Sequence, residues 1–163
     1  MNFKETNFNL KIILIEPNGP INIGSIARLC SNFNVDQLRI VSPKCDINSL
    51  ETKKMALKGM KYITECTIYE SLIESISDCD LVLATCGRID YQKGYELDSL
   101  ENISSWTKNF KELKNLAILF GREDRGLTNK ELLMAHKVFT INTHKNFPSL
   151  NLSHAVSIVL YEL

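Results

Sequence analysis

Two stretches of this chain combine the residue types that bind and orient an anionic substrate. In Phe120-Gly121-Arg122-Glu123-Asp124-Arg125-Gly126-Leu127, four consecutive charged side chains stand between glycines. That density exceeds what a tight turn needs for solubility. Glycine permits unusual backbone angles, Glu123 is placed to anchor an arginine, and Arg122 or Arg125 is placed to reach an anion. In the second stretch, Glu16-Pro17-Asn18-Gly19-Pro20-Ile21-Asn22-Ile23-Gly24-Ser25-Ile26-Ala27-Arg28, two prolines and a glycine fix a turn. Asn22 can cap a helix there, and Gly24 and Ala27 let the start of that helix approach a neighbouring backbone or ligand closely. A helix N-terminus presents unpaired N–H groups to an anion, and Arg28 can add a bidentate fork to a phosphate. An ordinary capped helix and a solvated charged turn would use the same residues, so neither stretch identifies a chemistry alone.

Two further stretches carry weaker signals. Thr85-Cys86-Gly87-Arg88 follows an apolar run, and small residues at a strand end leave room for a flat ligand such as an adenine held by backbone groups. Phe147-Pro148-Ser149-Leu150-Asn151-Leu152-Ser153-His154-Ala155 is preceded by Ile141-Asn142-Thr143. Here Pro148 sets the approach, and Ser149 or Asn151 can either cap a helix or face a ligand. The pairing of Ser149 with His154 does not read as a hydrolase, because the Gly-x-Ser-x-Gly elbow that exposes such a nucleophile is missing. Gly-x-Gly-x-x-Gly and the Walker lysine motif are missing too, which argues against the usual dinucleotide and ATP loops. The five cysteines (Cys30, Cys45, Cys66, Cys79 and Cys86) form no Cys-x-x-Cys pair, and the three histidines are not spaced for zinc. Neither a disulfide framework nor a metal site is expected; most of the cysteines read as small core hydrophobes.

These stretches need elements to hold them. Apolar runs at Leu10 to Ile15, Gln37 to Val41, Cys66 to Tyr69, Leu81 to Thr85, Leu116 to Phe120 and Val138 to Ile141 predict strands buried on both faces of a parallel sheet. Between them, Asn48 to Glu51, Ser71 to Glu74, Asp98 to Glu101 and Thr128 to Glu131 each place a capping side chain three residues before a Glu. Two more helices are predicted from Ile23 to about Phe33 and from about Asn151 to the end. The alternation predicts an α/β fold with helices flanking a parallel sheet, in one domain over residues 1–163. Its last helix ends without a stop signal, which suggests a domain trimmed before a C-terminal extension. All four stretches follow predicted strands, where open α/β sheets collect ligands.

The chain has 163 residues, 44% of them hydrophobic, and its 19 Lys and Arg balance 19 Asp and Glu. No apolar run approaches the ~20 residues that cross a bilayer, and the start lacks a signal-peptide profile, so a cytoplasmic protein without a membrane partner is expected. Zero net charge supplies no bulk attraction to nucleic acid. Yet of only five arginines against fourteen lysines, Arg28, Arg88, Arg122 and Arg125 fall in the strand-end stretches. Arginine suits fixed phosphate geometry, so this placement makes a local basic patch.

Taken in order, Asn22-x-Gly24-x-x-x-Arg28, Phe120-Gly121-x-Glu123-x-x-Gly126-Leu127 and Ser149-Leu150-Asn151 resemble the three motifs of the SpoU/TrmH branch of the SPOUT RNA methyltransferases. The likeness runs from about Leu10 to the end, and the wording around Glu16-Pro17 and Gly121 to Leu132 looks closest to the TrmJ-like subgroup. The resemblance implies a C-terminal deep trefoil knot, with the loops around Thr85, Gly121 and Ser149 brought into one pocket for S-adenosylmethionine. It implies that Thr85, Cys86, Gly87, Gly121, Ile141 and Leu150 contact this cofactor. It implies that Asn22, Arg28, Glu123, Ser149 and Asn151 surround the target ribose and its phosphate. It further implies a homodimer with active sites at the subunit interface, and methylation of the 2′-hydroxyl of the pyrimidine at tRNA position 32. The alternatives are the wobble-position ribose, a non-catalytic RNA-binding relative that keeps the knot, and a flavodoxin-like phosphate-binding module.

Overall fold

The computed structural model describes residues 8–87 and 95–163, so the expectation for Arg88 lies outside the described residues. Strands β1 (Asn9–Ile15), β2 (Gln37–Val41), β3 (Thr67–Tyr69), β4 (Leu81–Thr85), β5 (Leu97–Ser99), β6 (Asn115–Phe120) and β7 (Lys137–Thr140) form one sheet. All pairings are parallel, in the order β3-β2-β1-β6-β4-β7-β5. The helices are α1 (Pro20–Asn32), α2 (Leu50–Ala56), α3 (Met60–Thr64), α4 (Leu72–Ile76), α5 (Leu100–Thr107), α6 (Asn129–Leu132) and α7 (Leu152–Glu162).

The apolar runs form strands because both faces are covered. Ile12 and Leu14 of β1 face a core shared with α1, α3, α5 and α7, while Ile13 and Ile15 face Leu72 of α4 and Leu132 of α6. The expectation of six strands missed β5, which has three half-buried residues and no apolar run to betray it. Pairing with β7 supplies the stability its own sequence lacks. Lying between β1 and β4, β6 leaves the carboxyl ends of β1, β6, β4 and β7 side by side along one edge of the sheet. The loops that follow these four ends carry the four stretches singled out above.

Two predicted caps are displaced by one residue. Ser49 rather than Asn48 caps α2 by accepting from the Thr52 amide, and Ser99 rather than Asp98 caps α5 by accepting from the Asn102 amide. Asp98 is instead committed to Lys137, 2.8 Å away, and to the Asn102 side chain. Ser71 and Thr128 cap as expected, Thr128 in a reciprocal box with Glu131. Helix α1 begins three residues earlier than predicted, with Pro20 in its first turn and Gly19 at the cap, so Asn22 lies inside the helix and does not cap it. The close approach expected of Gly24 is to protein: a Cβ there would lie 2.3 Å from the Thr52 carbonyl oxygen.

Of the cysteines, Cys30 and Cys86 are buried, and burial pushes the Cys30 thiol up to about 12. The fifth arginine, Arg39 of β2, is buried beside Lys11 of β1, and Asp78 serves both. Its carboxylate accepts from Arg39 at 2.6 and 2.8 Å and from Lys11 at 2.7 Å. The Arg39 guanidinium, with help from Lys11, holds the Asp78 carboxyl well below the usual carboxylate range. Asp78→Asn leaves two buried cations without a counter-charge. It should destabilise the fold by about 1–3 kcal/mol in urea titrations at pH 7, less than a fully buried pair because Asp78 is half exposed. A carboxyl depressed on folding stabilises above its unfolded pKa and ceases to do so as pH falls through its folded one. The wild-type chain should therefore lose stability progressively below about pH 5, and the variant should lack that part of the slope.

Candidate active site

The carboxyl-edge loops enclose a cavity of about 310 Å³. Thr85, Cys86 and Gly87 line it from the end of β4, Gly121 to Leu127 from the end of β6, and Thr140 and Ile141 from the end of β7. Pro148, Ser149 and Leu150, with Leu152 and Ala155 of α7, close it. All six residues expected at a cofactor thus line a single cavity, joined by Glu123 and Ser149. The Thr85 hydroxyl donates to the Leu119 carbonyl at 3.0 Å and the Cys86 amide to the Phe139 carbonyl at 2.8 Å, which ties the β4 end to both neighbouring strands.

A chain of hydrogen bonds joins the three motifs. The Glu123 carboxylate accepts from the backbone amides of Asn18, at 3.1 Å, and Gly19, at 2.9 Å, and from Asn22 Nδ2 at 3.3 Å. Asn22 Oδ1 accepts from Asn151 Nδ2 at 3.1 Å. Asn151 Oδ1 in turn caps α7, accepting from the amides of Ser153 and His154. Glu123 thus fixes the backbone that leads into α1, and its negative charge beside the first turn complements the positive end of the helix dipole. Asn22, Glu123 and Asn151 therefore hold one another, whereas the Ser149 side chain is exposed and makes no hydrogen bond among the described residues. Arg28 is exposed on α1 and does not line the cavity of its own chain.

Of the expectation that Glu123 anchors an arginine and that Arg122 or Arg125 reaches an anion, the Glu123 and Arg122 parts are corrected: Glu123 takes amides, and Arg122 is held by Glu16 and by Glu131, which was read only as a capping-box residue. Arg122, with 10% of its side chain exposed, donates Nε to Glu16 at 2.7 Å and both terminal nitrogens to Glu131 at 3.0 Å. The bonds to Glu131 and then Glu16 raise the guanidinium further above its usual range. Burial pushes the Glu131 carboxyl up, but the bonds from Arg122 and the Thr128 amide outweigh it and leave the group below its ordinary value. Four of the five guanidinium donors of Arg122 are thus spent inside the protein, on Glu16, Glu131 and the Gly126 carbonyl, rather than on a substrate. The available signals were Glu16 at a strand end before proline and the second use of a capping-box Glu.

The SpoU rRNA methylase family model matches residues 9–161, nearly the whole of the chain and all three motif loops. This chain belongs to the SpoU rRNA methylase family. Among the relatives of this SpoU chain is the tRNA (cytidine-2′-O-)-methyltransferase TrmJ of Sulfolobus acidocaldarius, 38% identical over 155 residues, 94% of this chain and 64% of that protein. The chain thus spans slightly less than two thirds of the length of that relative. A probable methylase family protein from Haemophilus influenzae superposes with a TM-score of 0.86 at 33% identity, over 97% of this chain and 66% of its own. The SpoU methyltransferase AviRb of Streptomyces viridochromogenes, solved in complex with AdoMet, shares the fold at a TM-score of 0.73 and 18% identity, over 98% of this chain and 61% of its own.

Proposed function

We propose that this SpoU chain is the methyl-transferring domain of a tRNA ribose 2′-O-methyltransferase that uses S-adenosylmethionine and acts on the pyrimidine at position 32 of the anticodon loop. The observation that carries the reading is the convergence of the three motif loops on one cavity, tied together through Glu123, Asn22 and Asn151. The cavity suits the cofactor. Its volume lies at the lower end of the ~300–1,000 Å³ of small-molecule pockets, and glycines and a buried Cys86 line one side while Ile141, Leu150 and Leu152 line another. That is a slot for a flat base between apolar side chains and backbone groups. The knot belongs to the proposal: the segment leading to α7 threads the loop that precedes it, so that Ser149 and Leu150 come to face Thr85 and Gly121.

S-adenosylmethionine bound there supplies an activated methyl group for the ribose 2′-oxygen. The protein aligns that oxygen and eases the loss of its proton. Ser149, whose hydroxyl has no partner among the described residues, hydrogen-bonds the ribose. Arg28 holds a phosphate and polarises the 2′-hydroxyl as a cation; a guanidinium with a pKa above ~12 is a poor base. Because Arg28 lies outside its own chain's cavity, it serves the cavity of a second copy. The faces of α1 and α7 support such a homodimer, for Ile21 is 56% exposed, Ile158 40% and Tyr161 82%. A tRNA substrate places the work in the cytoplasm; among the described residues, no helix is long and apolar enough to cross a membrane.

Methyl transfer from labelled S-adenosylmethionine to bulk tRNA lacking the modification, followed by mapping of the labelled nucleotide, tests the proposal. Label in the ribose at position 32 is expected, together with calorimetric binding of S-adenosylmethionine to a dimer. Label at position 34 would move the assignment to the wobble ribose, and a dimer that binds RNA but no S-adenosylmethionine would make the chain a non-catalytic relative.

A further inference from the structure

Arg122 and Glu123 are adjacent and reach in sequence order for adjacent parts of the first motif. Arg122 Nε bonds Glu16, the residue that follows β1, at 2.7 Å; Glu123 takes the amides of Asn18 and Gly19, two and three residues further on. Arg122 also closes its own turn. Its amide and carbonyl exchange hydrogen bonds with Gly126 at 3.3 and 2.9 Å, and its Nη1 donates to the Gly126 carbonyl at 3.3 Å. Gly126 sits at φ +69°, and Glu16 at φ +45°, in the left-handed region that a non-glycine residue rarely adopts. The fork to Glu131 fixes the far side of the guanidinium to the start of α6. One planar group with five donors therefore joins the end of β1, the turn after β6 and α6, and the turn it holds is a wall of the cofactor cavity.

We propose that Arg122 is a positioning residue that couples the two ligands, transmitting occupancy of the cavity to the start of α1 and so to Arg28. The inference rests on the functional reading above and deepens it. A turn held at one point could swing on filling of the cavity without disturbing α1. Held at Glu16 by Arg122 and at Asn18 and Gly19 by Glu123, it moves only together with the first motif. Glu16 also has Arg125 at 3.7 Å and Lys44 at 3.9 Å, so its carboxylate keeps cationic neighbours when Arg122 is changed. Filling the cavity thus favours the RNA-binding arrangement of α1, and by linkage RNA favours filling of the cavity to the same degree.

The test measures the affinity of the full chain for an unmodified tRNA transcript with and without S-adenosylhomocysteine, the product that fills the cavity without turnover. The wild type should bind tRNA about tenfold more tightly when the product is present, within the usual range for coupled sites. In Arg122→Lys, a single point charge cannot serve Glu16 and Glu131 together, so the gain should fall to about twofold or less whatever the affinity of the variant for each ligand alone. Glu16→Gln cuts the same link and leaves the fork to Glu131, and it provides the result if Arg122→Lys does not fold. An undiminished gain in either folded variant, or no gain in the wild type, overturns the coupling role and leaves the functional reading standing. A wild-type chain that binds neither ligand overturns both.

Discussion

Replacing Arg28 with alanine should lower methyl transfer to tRNA by about 10²–10³-fold, the loss typical of removing one well-placed donor from a developing charge. The same change should leave S-adenosylmethionine affinity within about twofold and the melting temperature within about 2 °C. The three expectations separate because of where Arg28 lies. It is exposed, belongs to no ion pair among the described residues and does not line the cavity of its chain, so truncation opens no void and unpairs no partner. Surface substitutions of that kind stay within about 0.5 kcal/mol. Arg28→Lys keeps the charge and loses the fork. A loss of about tenfold is expected from it, with the salt dependence of tRNA binding unchanged because the same number of phosphates is neutralised. Single-turnover assays at saturating cofactor, paired with calorimetry, provide the check. Near-normal turnover by Arg28→Lys with unchanged RNA affinity would contradict both the clamp and the polarising role, and a collapse of cofactor affinity in Arg28→Ala would place the side chain at the wrong ligand.

Arg28 also marks the limit of what the sequence makes legible. The strand ends at Ile15, Thr85 and Phe120 could be read because burial on both faces leaves continuous apolar runs, and the loops after them follow from the topology of parallel sheets. That these loops share one cavity came from the resemblance of the three motifs to a known family; topology alone put Thr85, Gly121 and Ile141 at or near strand ends and Leu150 just before a helix. Pairing between polar side chains was not legible. Glu123 lies 105 residues from Asn18, and Arg122 lies 106 from Glu16, so their bonds depend on β6 lying beside β1, a neighbour relation that no local pattern encodes. A four-charge run looks like a set of free donors until the sheet order shows which carboxylates stand opposite. Asn22 was misread for a local reason. Its residue type favours a cap, but Pro20 starts the helix two residues earlier and turns Asn22 towards Glu123 and Asn151.

Gly121→Ala should destabilise the chain by about 2–4 kcal/mol and reduce S-adenosylmethionine affinity by at least about 100-fold. A Cβ at this position would lie 2.2 Å from the Gly126 carbonyl carbon, 2.3 Å from the Leu127 amide nitrogen and 2.7 Å from the Gly126 Cα. These are backbone atoms of a closed turn, so no side chain can rotate away and the strands of the turn must part. Forced overpacking costs about 1–3 kcal/mol, and each strained turn hydrogen bond between Arg122 and Gly126 adds about 0.5–1.5 kcal/mol. The same displacement moves a wall of the cavity, which is why affinity falls together with stability. Gly87 separates the two causes, because it lines the cavity but a Cβ there meets nothing within 4 Å among the described residues. Gly87→Ala should keep the melting temperature of wild type and shift cofactor affinity by no more than about tenfold, by intrusion into the ligand's space alone. Thermal melts with and without S-adenosylmethionine distinguish the pair. If Gly121→Ala keeps both its stability and its affinity, the turn that Arg122 closes is not the wall against which the ligand packs, and the cavity must be entered from the β4 side.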